Sequence, residues 1–184
     1  TAVTTVTSVI DSTGTGKTYT IVGGDDAAKF TIDASTGALS FVSAPDFENK
    51  LDIGTNNVYD VTVRVSDGVG GVDTQAIAVT VTNVNEAPVI TSNGGGATAT
   101  PISVAENSTA VTTVTSTDVD AGATATYSIS GGADAAKFNI NASTGELTFK
   151  SAPDFESKSD VGANNVYDVK VQVSDGSLTD TQDI

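Results

Sequence analysis

The sequence predicts an all-β protein made of two tandem β-sandwich modules. Three observations lead to this prediction: the chain repeats itself, apolar and polar residues alternate along it, and turn residues interrupt it. A chain of 184 residues has room for two modules of roughly 90 to 100 residues each. Short strands separated by turns, in modules of this size, are typical of a sandwich rather than an α/β fold.

The internal repeat determines the organisation of the chain. A shift of 108 residues aligns 1–68 with 109–176 without a gap, and 46 of these 68 positions are identical. We therefore expect one module at 1–88 and a second at 89–184, and we interpret the chain as a fragment of a longer array.

Each module is expected to lack one terminal strand. The segment PISVAEN (101–107) has no counterpart in module 1, and module 2 is taken to stop at Ile184 before any equivalent of QAIAVTVTNVNEAP (75–88). The open edges could be completed by another copy of the chain, which would give a swapped dimer or a fibre. The insert SNGGGATAT (92–100) is expected to be a flexible spacer or a loop before the strand PISVAEN.

Individual strands follow from alternation with a period of two. In VYDVTVRVS (58–66) the residues Tyr59, Val61, Val63 and Val65 share one face, which we expect to be buried. AVTTVTS and AIAVTVT alternate in the same way, and STG, GG and SDG mark turns between strands. DAAKF predicts a single helical turn, and no segment supports a longer helix.

Composition excludes many classes of function. Cys, His, Trp and Met are absent, so the chain has no thiol nucleophile, no imidazole base and no zinc or iron site of the usual kind. The net charge of −15, from 23 acidic and 8 basic residues, disfavours nucleic acid and anionic membranes as partners. No apolar run is long enough to span a membrane, so we expect no membrane insertion. The acidic excess serves solubility or binds divalent cations.

The motif SAPDFE occurs twice and pairs two carboxylates around a phenylalanine. In an extended segment Asp46 and Glu48 would share one side, while Phe47 would enter the core on the other. The same holds for Asp154, Phe155 and Glu156. One interpretation is a solvated edge that discourages strand aggregation, and the other is a pair of metal ligands.

Further oxygen donors favour the metal interpretation. NVNEAP (83–88) and TDVDAG (117–122) lie on either side of the module boundary, and Asp175 follows the strand VKVQVS. Ca²⁺ binds six to eight oxygen ligands from carboxylates and carbonyls, whereas Mg²⁺ keeps more water. An EF-hand is excluded because the twelfth residue counted from Asp118 is Ile129 instead of Glu.

These motifs, taken in order, resemble cadherin repeats of the kind found in large bacterial surface and secreted proteins. The resemblance rests on VAEN (104–107), TDVDAG, the paired FTIDASTGAL and FNINASTGEL, DFE, VSDG and NVNEAP, and it covers nearly the whole chain. It implies seven-stranded Greek-key sandwiches with calcium bound between consecutive modules.

The resemblance also implies which residues bind calcium. The expected ligands of the complete junction are Asp46, Glu48, Asn83, Asn85, Glu86, Asp118, Asp120 and Asp175. The expected ligands of incomplete outer junctions are Asp67, Glu106, Asp154 and Glu156. Module 1 carries Ile10 and Ser12 where the family has D-x-D, so its upstream junction should be weak or metal-free unless Asp11 shifts the register.

The expected function is a calcium-rigidified spacer or adhesive segment of an extracellular protein. Its partners would be other modules of the same array, homophilic contacts or surface polysaccharide. An alternative is a calcium-dependent, lectin-like carbohydrate-binding module, although all ten aromatic residues occupy repeat-equivalent positions and are therefore expected in the cores. An enzyme is not expected, because the paired acids are better explained as metal ligands.

Overall fold

A computed structural model of the protein describes residues 1–9 and 16–184. The chain divides into two compact units, unit 1 (Thr1–Val84) and unit 2 (Asn85–Ile184). Regular structure in the described residues consists of β-strands and short 3-10 turns. The all-β prediction is therefore confirmed.

Unit 1 contains two antiparallel three-stranded sheets. One has the order β1-β4-β3 and the other the order β2-β5-β6. The chain crosses between the sheets after β1, after β2 and after β4, which is the connectivity of a Greek-key sandwich. The strands are β1 (Ala2–Thr5), β2 (Thr18–Gly23), β3 (Phe30–Ile32), β4 (Ala38–Phe41), β5 (Val58–Ser66) and β6 (Val72–Thr80).

The core of unit 1 lies between these two sheets. Every second residue of β5 is buried, beginning with Tyr59, which confirms the face predicted from the alternation. The opposite sheet contributes Leu39, which is 0% exposed. The rings of Phe30 and Phe41 stack with centroids 4.6 Å apart, and Tyr59 meets Phe41 edge-on at 5.2 Å. The core thus combines β-branched packing with a compact aromatic cluster.

Unit 2 repeats this plan and adds a small sheet. Its three-stranded sheets have the orders β10-β13-β14 and β11-β12-β8, and β7 pairs with β9. The strands are β7 (Val89–Ile90), β8 (Ala110–Thr113), β9 (Ser116–Thr117), β10 (Thr126–Gly131), β11 (Phe138–Ile140), β12 (Glu146–Phe149), β13 (Lys170–Ser174) and β14 (Thr179–Asp183). Phe138 and Phe149 stack at the same 4.6 Å centroid distance as their counterparts in unit 1.

The predicted helical turn forms in both repeats. Ala27–Lys29 and Ala135–Lys137 are 3-10 turns that lead directly into β3 and β11. A further 3-10 turn, Ser92–Gly94, lies in the insert after β7. The side-chain amide of Gln182, which is fully buried, donates to the carbonyls of Ser92 and Gly96 at 3.2 Å each. These hydrogen bonds tie the insert to β14.

The segment PISVAEN (101–107) differs from its prediction as a strand. In the described part of the chain it belongs to no strand, and the residue that pairs with β14 is Thr98, through a parallel bridge to Asp183. Pro101 has no N–H to donate to a ladder. The parallel pairing with β14 therefore involves Thr98 and does not extend into the predicted strand at 101–107.

Candidate metal-binding clusters

The two DFE motifs form turns rather than extended strands. In unit 1, Asp46 Oδ1 accepts hydrogen bonds from the backbone N–H of Glu48 at 3.0 Å and of Asn49 at 3.1 Å. In unit 2, Asp154 Oδ1 accepts the corresponding bonds from Glu156 and Ser157 at 3.0 and 3.2 Å. An aspartate that binds its own backbone two residues ahead bends the chain. The expectation of an extended segment is therefore wrong.

The phenylalanine of the motif is not the predicted core anchor. Phe155 is 62% exposed and Phe47 is only half-buried. The backbone carbonyl of Phe47 holds the turn instead, accepting a bond of 2.9 Å from the amide of Asn57. Asn57 is 2% exposed and has a φ of 62°, a conformation that asparagine tolerates better than most residues. Asn165 bonds the carbonyl of Phe155 at 3.0 Å in the same way.

Three predicted ligands come together at one end of unit 2, in what we call the outer cluster. Glu106, Asp154 and Glu156 each have a carboxylate oxygen within 4.8 Å of the others, and all three side chains are exposed. Glu106 Oε2 also accepts the N–H of Phe155 at 3.1 Å, and the N–H of Asn107 donates to the carbonyl of Pro153 at 2.9 Å. These bonds fix the segment carrying Glu106 against the DFE turn.

Five other predicted ligands form a second group in unit 2, the entry cluster. They are Asn85, Glu86, Asp118, Asp120 and Asp175. The N–H of Glu86 donates to Asp120 Oδ2 at 2.9 Å, and the N–H of Asp120 donates to Asp118 Oδ1 at 2.9 Å. The amide of Asn85 donates to Asp175 Oδ2 at 2.7 Å. These bonds connect Glu86, Asp120 and Asp118 in sequence and connect Asn85 with Asp175. The role of the five residues as metal ligands stays a prediction.

Two carboxylates of the entry cluster have features that suit a cation. The N–H of Leu178, the side-chain amide of Asn85 and the N–H of Ser177 lower the pKa of Asp175, so its carboxylate is ionised at neutral pH. Asp118 Oδ2 is buried and accepts no hydrogen bond from the residues that the structure describes. A buried oxygen of this kind is costly unless a donor or a cation satisfies it.

Predicted ligands in unit 1 lie on turns and on its last segment. Asp67 Oδ1 accepts the N–H groups of Val69 and Gly71 at 2.9 and 2.8 Å. The bond from Val69 contributes most to lowering the pKa of Asp67, while burial opposes this effect. Glu48 and Asn83 are exposed. Ile10, Asp11 and Ser12, on which the upstream junction depends, lie outside the described residues.

Sequence reasoning missed two pairs of structural carboxylates. Asp26 is 3% exposed and accepts the N–H groups of Ile53 at 2.8 Å and Asp60 at 3.0 Å. Asp134 in unit 2 makes the equivalent bonds, to Val161 and Asp168. Asp52 and Asp160 each cap a following Asn-Asn pair. These acids are identical in both repeats, but so are the exposed acids of the DFE motifs, so the repeat alone does not show which acids are buried.

Comparison with known proteins agrees with this structure. Residues 100–183 match the family model described as the Cadherin domain. The second unit is a cadherin domain. Because 46 of 68 aligned positions in the first repeat are identical to it, the first unit is a cadherin-like repeat as well. Cadherin domains are adhesion-type extracellular modules and a non-enzymatic family.

Solved cadherin structures share the fold. EC1-4 of Drosophila N-cadherin matches 94% of this chain with a TM-score of 0.62 and 17% identity, and the chain spans 41% of that structure. EC1-2 of human protocadherin-24 matches 95% with a TM-score of 0.56 and 22% identity, and the chain spans 79% of it. EC22-24 of mouse cadherin-23 matches 91% with a TM-score of 0.53 and 23% identity, and the chain spans 50% of it.

A relative is also found by sequence. Halomucin of Haloquadratum walsbyi is 51% identical over 37 residues, which is 20% of this chain and, to the nearest percent, 0% of Halomucin. The chain thus corresponds to a very small part of that relative. Among the described residues, no helix has the length and apolar character needed to cross a membrane.

Proposed function

We propose that this chain binds calcium and acts as a calcium-stiffened spacer or adhesive segment of an extracellular protein. The observation that carries the proposal is the outer cluster, where Glu106, Asp154 and Glu156 place carboxylate oxygens within 4.8 Å of one another. Two of these residues belong to the D-x-E motif, and the third to the glutamate motif, of the cadherin pattern. The entry cluster supplies a second set of convergent oxygens.

The donor set fits calcium better than other common metals. The chain contains no Cys or His, so the available side-chain ligands are carboxylate, amide and hydroxyl oxygens, which suit calcium and magnesium. Clusters of several flexible carboxylates favour calcium, because Mg²⁺ retains most of its water. The buried Asp118 Oδ2, which accepts no hydrogen bond in the described residues, is a suitable additional oxygen.

Electrostatics explains why calcium would change the mechanics of the protein. Each pair of carboxylates within 4.8 Å repels by about 1 kcal/mol in water, and the whole chain carries a net charge of −15. A bound Ca²⁺ replaces this repulsion with shared coordination. Any state that binds the ion is stabilised by mass action, by about 2.7 kcal/mol at a hundredfold excess over the dissociation constant.

The full junction follows from the cadherin pattern. We propose that Asp46, Glu48 and Asn83 of unit 1 act with Asn85, Glu86, Asp118, Asp120 and Asp175 of unit 2. Asp67 would serve a preceding module, and the outer cluster would serve a following one. Calcium would then restrict the orientation of successive modules, so that an array of them holds an attached group at a distance from a surface.

Location and partners are proposed on the same basis. We place the protein outside the cell, with other modules of its array as partners and with homophilic or polysaccharide contacts at its surface. The Halomucin match supports a large surface or secreted protein. Catalysis forms no part of the proposal, since the convergent acids are accounted for as ligands.

Calorimetric melting with calcium and with EDTA tests the proposal. We expect calcium to raise the Tm of the wild type by several degrees, since 1–3 kcal/mol corresponds to such a shift in domains of this size. In Asp118→Asn/Asp120→Asn, the calcium-induced increase in Tm should be smaller by the contribution of the entry cluster. In Glu106→Gln/Asp154→Asn, it should be smaller by the contribution of the outer cluster. The control Asp25→Asn/Asp73→Asn removes two exposed charges outside both clusters. Equal melting in calcium and EDTA would refute metal binding.

A distance measurement tests stiffening separately. Dyes placed on one exposed position in each unit, for example Ser35 and Ser143, should give a broad energy-transfer distribution in EDTA and a narrow one in calcium. A distribution that stays equally broad while the Tm rises would mean that calcium binds without stiffening the chain.

One observation favours carbohydrate binding as a second candidate. Phe155 is 62% exposed beside two carboxylates of the outer cluster, and sugars commonly stack on exposed rings near polar groups. Titration with monosaccharides and surface polysaccharide, in calcium, would show saturable binding that Phe155→Ala abolishes. Binding unaffected by Phe155→Ala would exclude this site.

A further inference from the structure

The turn between β11 and β12 carries an asparagine whose side chain is only half used. Asn141 begins the segment NAS (141–143), and residues 141–144 are all exposed. Asn141 Oδ1 accepts the backbone N–H groups of Ser143 at 3.0 Å and of Thr144 at 3.1 Å. Its Nδ2 atom donates no hydrogen bond to the residues that the structure describes. An amide NH₂ group is therefore free at an exposed position.

Backbone hydrogen bonds hold this turn in place. The N–H of Asn141 donates to the carbonyl of Glu146, and the N–H of Gly145 donates to the carbonyl of Asn141, each at 2.9 Å. The carbonyl of Ala142 accepts the N–H of Tyr127, also at 2.9 Å. The turn is thus anchored to β12 and to β10, whereas the side chain of Asn141 stays accessible.

The first repeat makes the same turn with an aspartate. Asp33 occupies the equivalent position in DAS (33–35), and its Oδ1 accepts the N–H groups of Ser35 at 2.9 Å and of Thr36 at 2.8 Å. The bond from the backbone N–H of Thr36 contributes most to lowering the pKa of Asp33. A carboxylate accepts such bonds more strongly than a neutral amide does. The turn therefore does not require asparagine, and what Asn141 adds is its free NH₂ group.

This NH₂ group has the surroundings of an acceptor of N-linked sugars. The acceptor pattern is N-x-S/T with any middle residue except proline, and the middle residue here is Ala142. In the transfer, Asn141 Nδ2 forms a bond to the anomeric carbon of a phosphate-activated sugar. The bond from that carbon to the phosphate oxygen breaks, the phosphate leaves with the electron pair, and one amide proton passes to a base of the transferase.

The other N-x-S/T segment of the chain, NST (107–109), is held differently. Asn107 has a φ of 62°, and in the described part of the chain its side chain accepts no hydrogen bond from the N–H of Thr109. The N–H of Asn107 donates to the carbonyl of Pro153 at 2.9 Å, and the carbonyl of Thr109 accepts the N–H of Phe149 at 2.8 Å. This segment is fixed beside the outer cluster and does not form the turn found at Asn141.

We propose that Asn141 is the acceptor of one N-linked glycan and that Asn107 is not glycosylated. The proposal rests on the extracellular location proposed above, because this pattern is used on surface loops of secreted proteins. The turn lies at one end of β12, whereas Phe149 at the other end bonds to Thr109, close in sequence to Glu106. A glycan on the turn therefore leaves the outer cluster accessible.

Glycan transfer to the purified, folded chain tests the proposal. The reagents are an oligosaccharyltransferase that accepts N-x-S/T, in membrane vesicles, and a lipid-linked oligosaccharide donor. Intact mass gives the number of glycans and peptide mapping gives their position. We expect one glycan per chain, on Asn141. Asn141→Asp, which reproduces the turn of unit 1, and Ser143→Ala, which removes the hydroxyl of the pattern, should each abolish transfer, whereas Asn107→Gln should leave it unchanged.

Unit 1 offers a matched gain of function. Asp33→Asn converts DAS into NAS within the same kind of turn and should add a second glycan to the chain. The control Asp25→Asn also introduces an exposed asparagine, but Ala27 follows two residues later instead of Ser or Thr. That variant should still carry a single glycan.

Two results would overturn the proposal. One is a chain without glycan under conditions in which a capped peptide with the sequence INASTG is modified, which would show that the folded turn is not an acceptor. The other is a glycan mainly on Asn107, which would show that the turn does not determine the choice of acceptor. The melting experiments in calcium and EDTA use the chain without glycan, so failure of glycan transfer and failure of calcium binding are observed independently.

Discussion

Asp26 shows how one buried carboxylate can organise a unit. Its two oxygens accept backbone N–H groups from Ile53 and Asp60, which belong to the loop before β5 and to β5 itself. The side chain thus holds the 3-10 turn, the loop and the strand in one arrangement. Asp134 repeats this arrangement in unit 2, so both units are held by a buried carboxylate that accepts two backbone hydrogen bonds.

Asp26→Asn should destabilise unit 1 by about 1–3 kcal/mol, because an amide NH₂ would replace one acceptor oxygen and leave a buried N–H unsatisfied. Asp25→Asn, at the exposed neighbouring position, is the matched control and should change stability by less than about 0.5 kcal/mol. Urea unfolding measures both. Equal effects of the two substitutions would mean that the buried bonds contribute nothing specific.

Acid should destabilise the protein through its turn-capping aspartates. Burial raises the pKa of Asp52 and Asp160, but backbone hydrogen bonds, led by those from Asn56 and Asn164, outweigh it and lower each pKa overall. A group whose pKa is lowered by folding stabilises the fold above its unfolded pKa, and this contribution is lost as pH falls through the folded value. We therefore expect constant stability from about pH 5 to 7 and a decline below about pH 4.

Urea midpoints measured from pH 7 to pH 2.5 check this expectation. Asp52→Asn/Asp160→Asn should be less stable at pH 7 and should lose less on acidification. A parallel decline in the variant and the wild type would show that other groups control the acid response.

At the scale of elements, tight turns position the strands. Gly24 follows β2 with a φ of 99°, and a Cβ there would lie 2.4 Å from the carbonyl oxygen of Asp60 and from the Cα of Val61. The chain can therefore pass this close to β5 only with glycine. Gly132 makes the same approach to Asp168 and Val169 in unit 2.

Gly24→Ala should cost about 3 kcal/mol or more, since it adds a backbone clash to an unfavourable φ. Gly68→Ala is the control, because Gly68 also has a positive φ, of 77°, but no atom lies within 4 Å of an added Cβ. That substitution should cost about 1 kcal/mol. Thermal melting of both variants separates the clash from the φ strain, and similar losses would contradict the close approach.

Strands were more predictable from sequence than turns. The alternation of apolar and polar residues correctly identified the buried face of β5 and the positions of β1 and β8. In a half-buried strand, successive side chains face the core and the solvent in turn, so the sequence alternates with a period of two. DFE was misjudged because Pro, Asp and Ser at its edges favour a turn that alternation cannot reveal.

Residue type was enough to identify the candidate metal ligands. It did not show which carboxylates are buried. Glu106, Asp154 and Glu156 have carboxylate oxygens within 4.8 Å of one another, and Asp154 and Glu156 have identical counterparts in the first repeat. Their role as ligands stays a prediction. The burial of Asp26 was not foreseen, because aspartate is rarely buried and only its bonds to distant backbone make it tolerable.

At the scale of the whole molecule, the net charge of −15 opposes compaction through self-repulsion. In EDTA, raising NaCl from about 10 mM to 500 mM should increase the Tm by a few degrees, because the screening length falls from about 30 Å to about 4 Å. Asp25→Lys/Asp73→Lys reverses two exposed charges and should respond less. A Tm that falls with salt would show that attractive ion pairs dominate, although Lys170–Asp183 is the single one found in the described residues.

The similarity of the two repeats, which are identical at 46 of 68 aligned positions, has a consequence for how the chain reaches its native state. β1 and β8 carry the same four residues, AVTT, and each pairs with a strand of similar sequence, ALSF in one unit and ELTF in the other. We therefore expect that, in a nascent chain, β1 or β8 can pair with the corresponding strand of the other repeat at little energetic cost. Such misassembly is a known hazard of tandem repeats. Positions at which the repeats differ, such as the half-buried Ala38 of β4 and the exposed Glu146 of β12, should make such an exchange less favourable than pairing within one repeat.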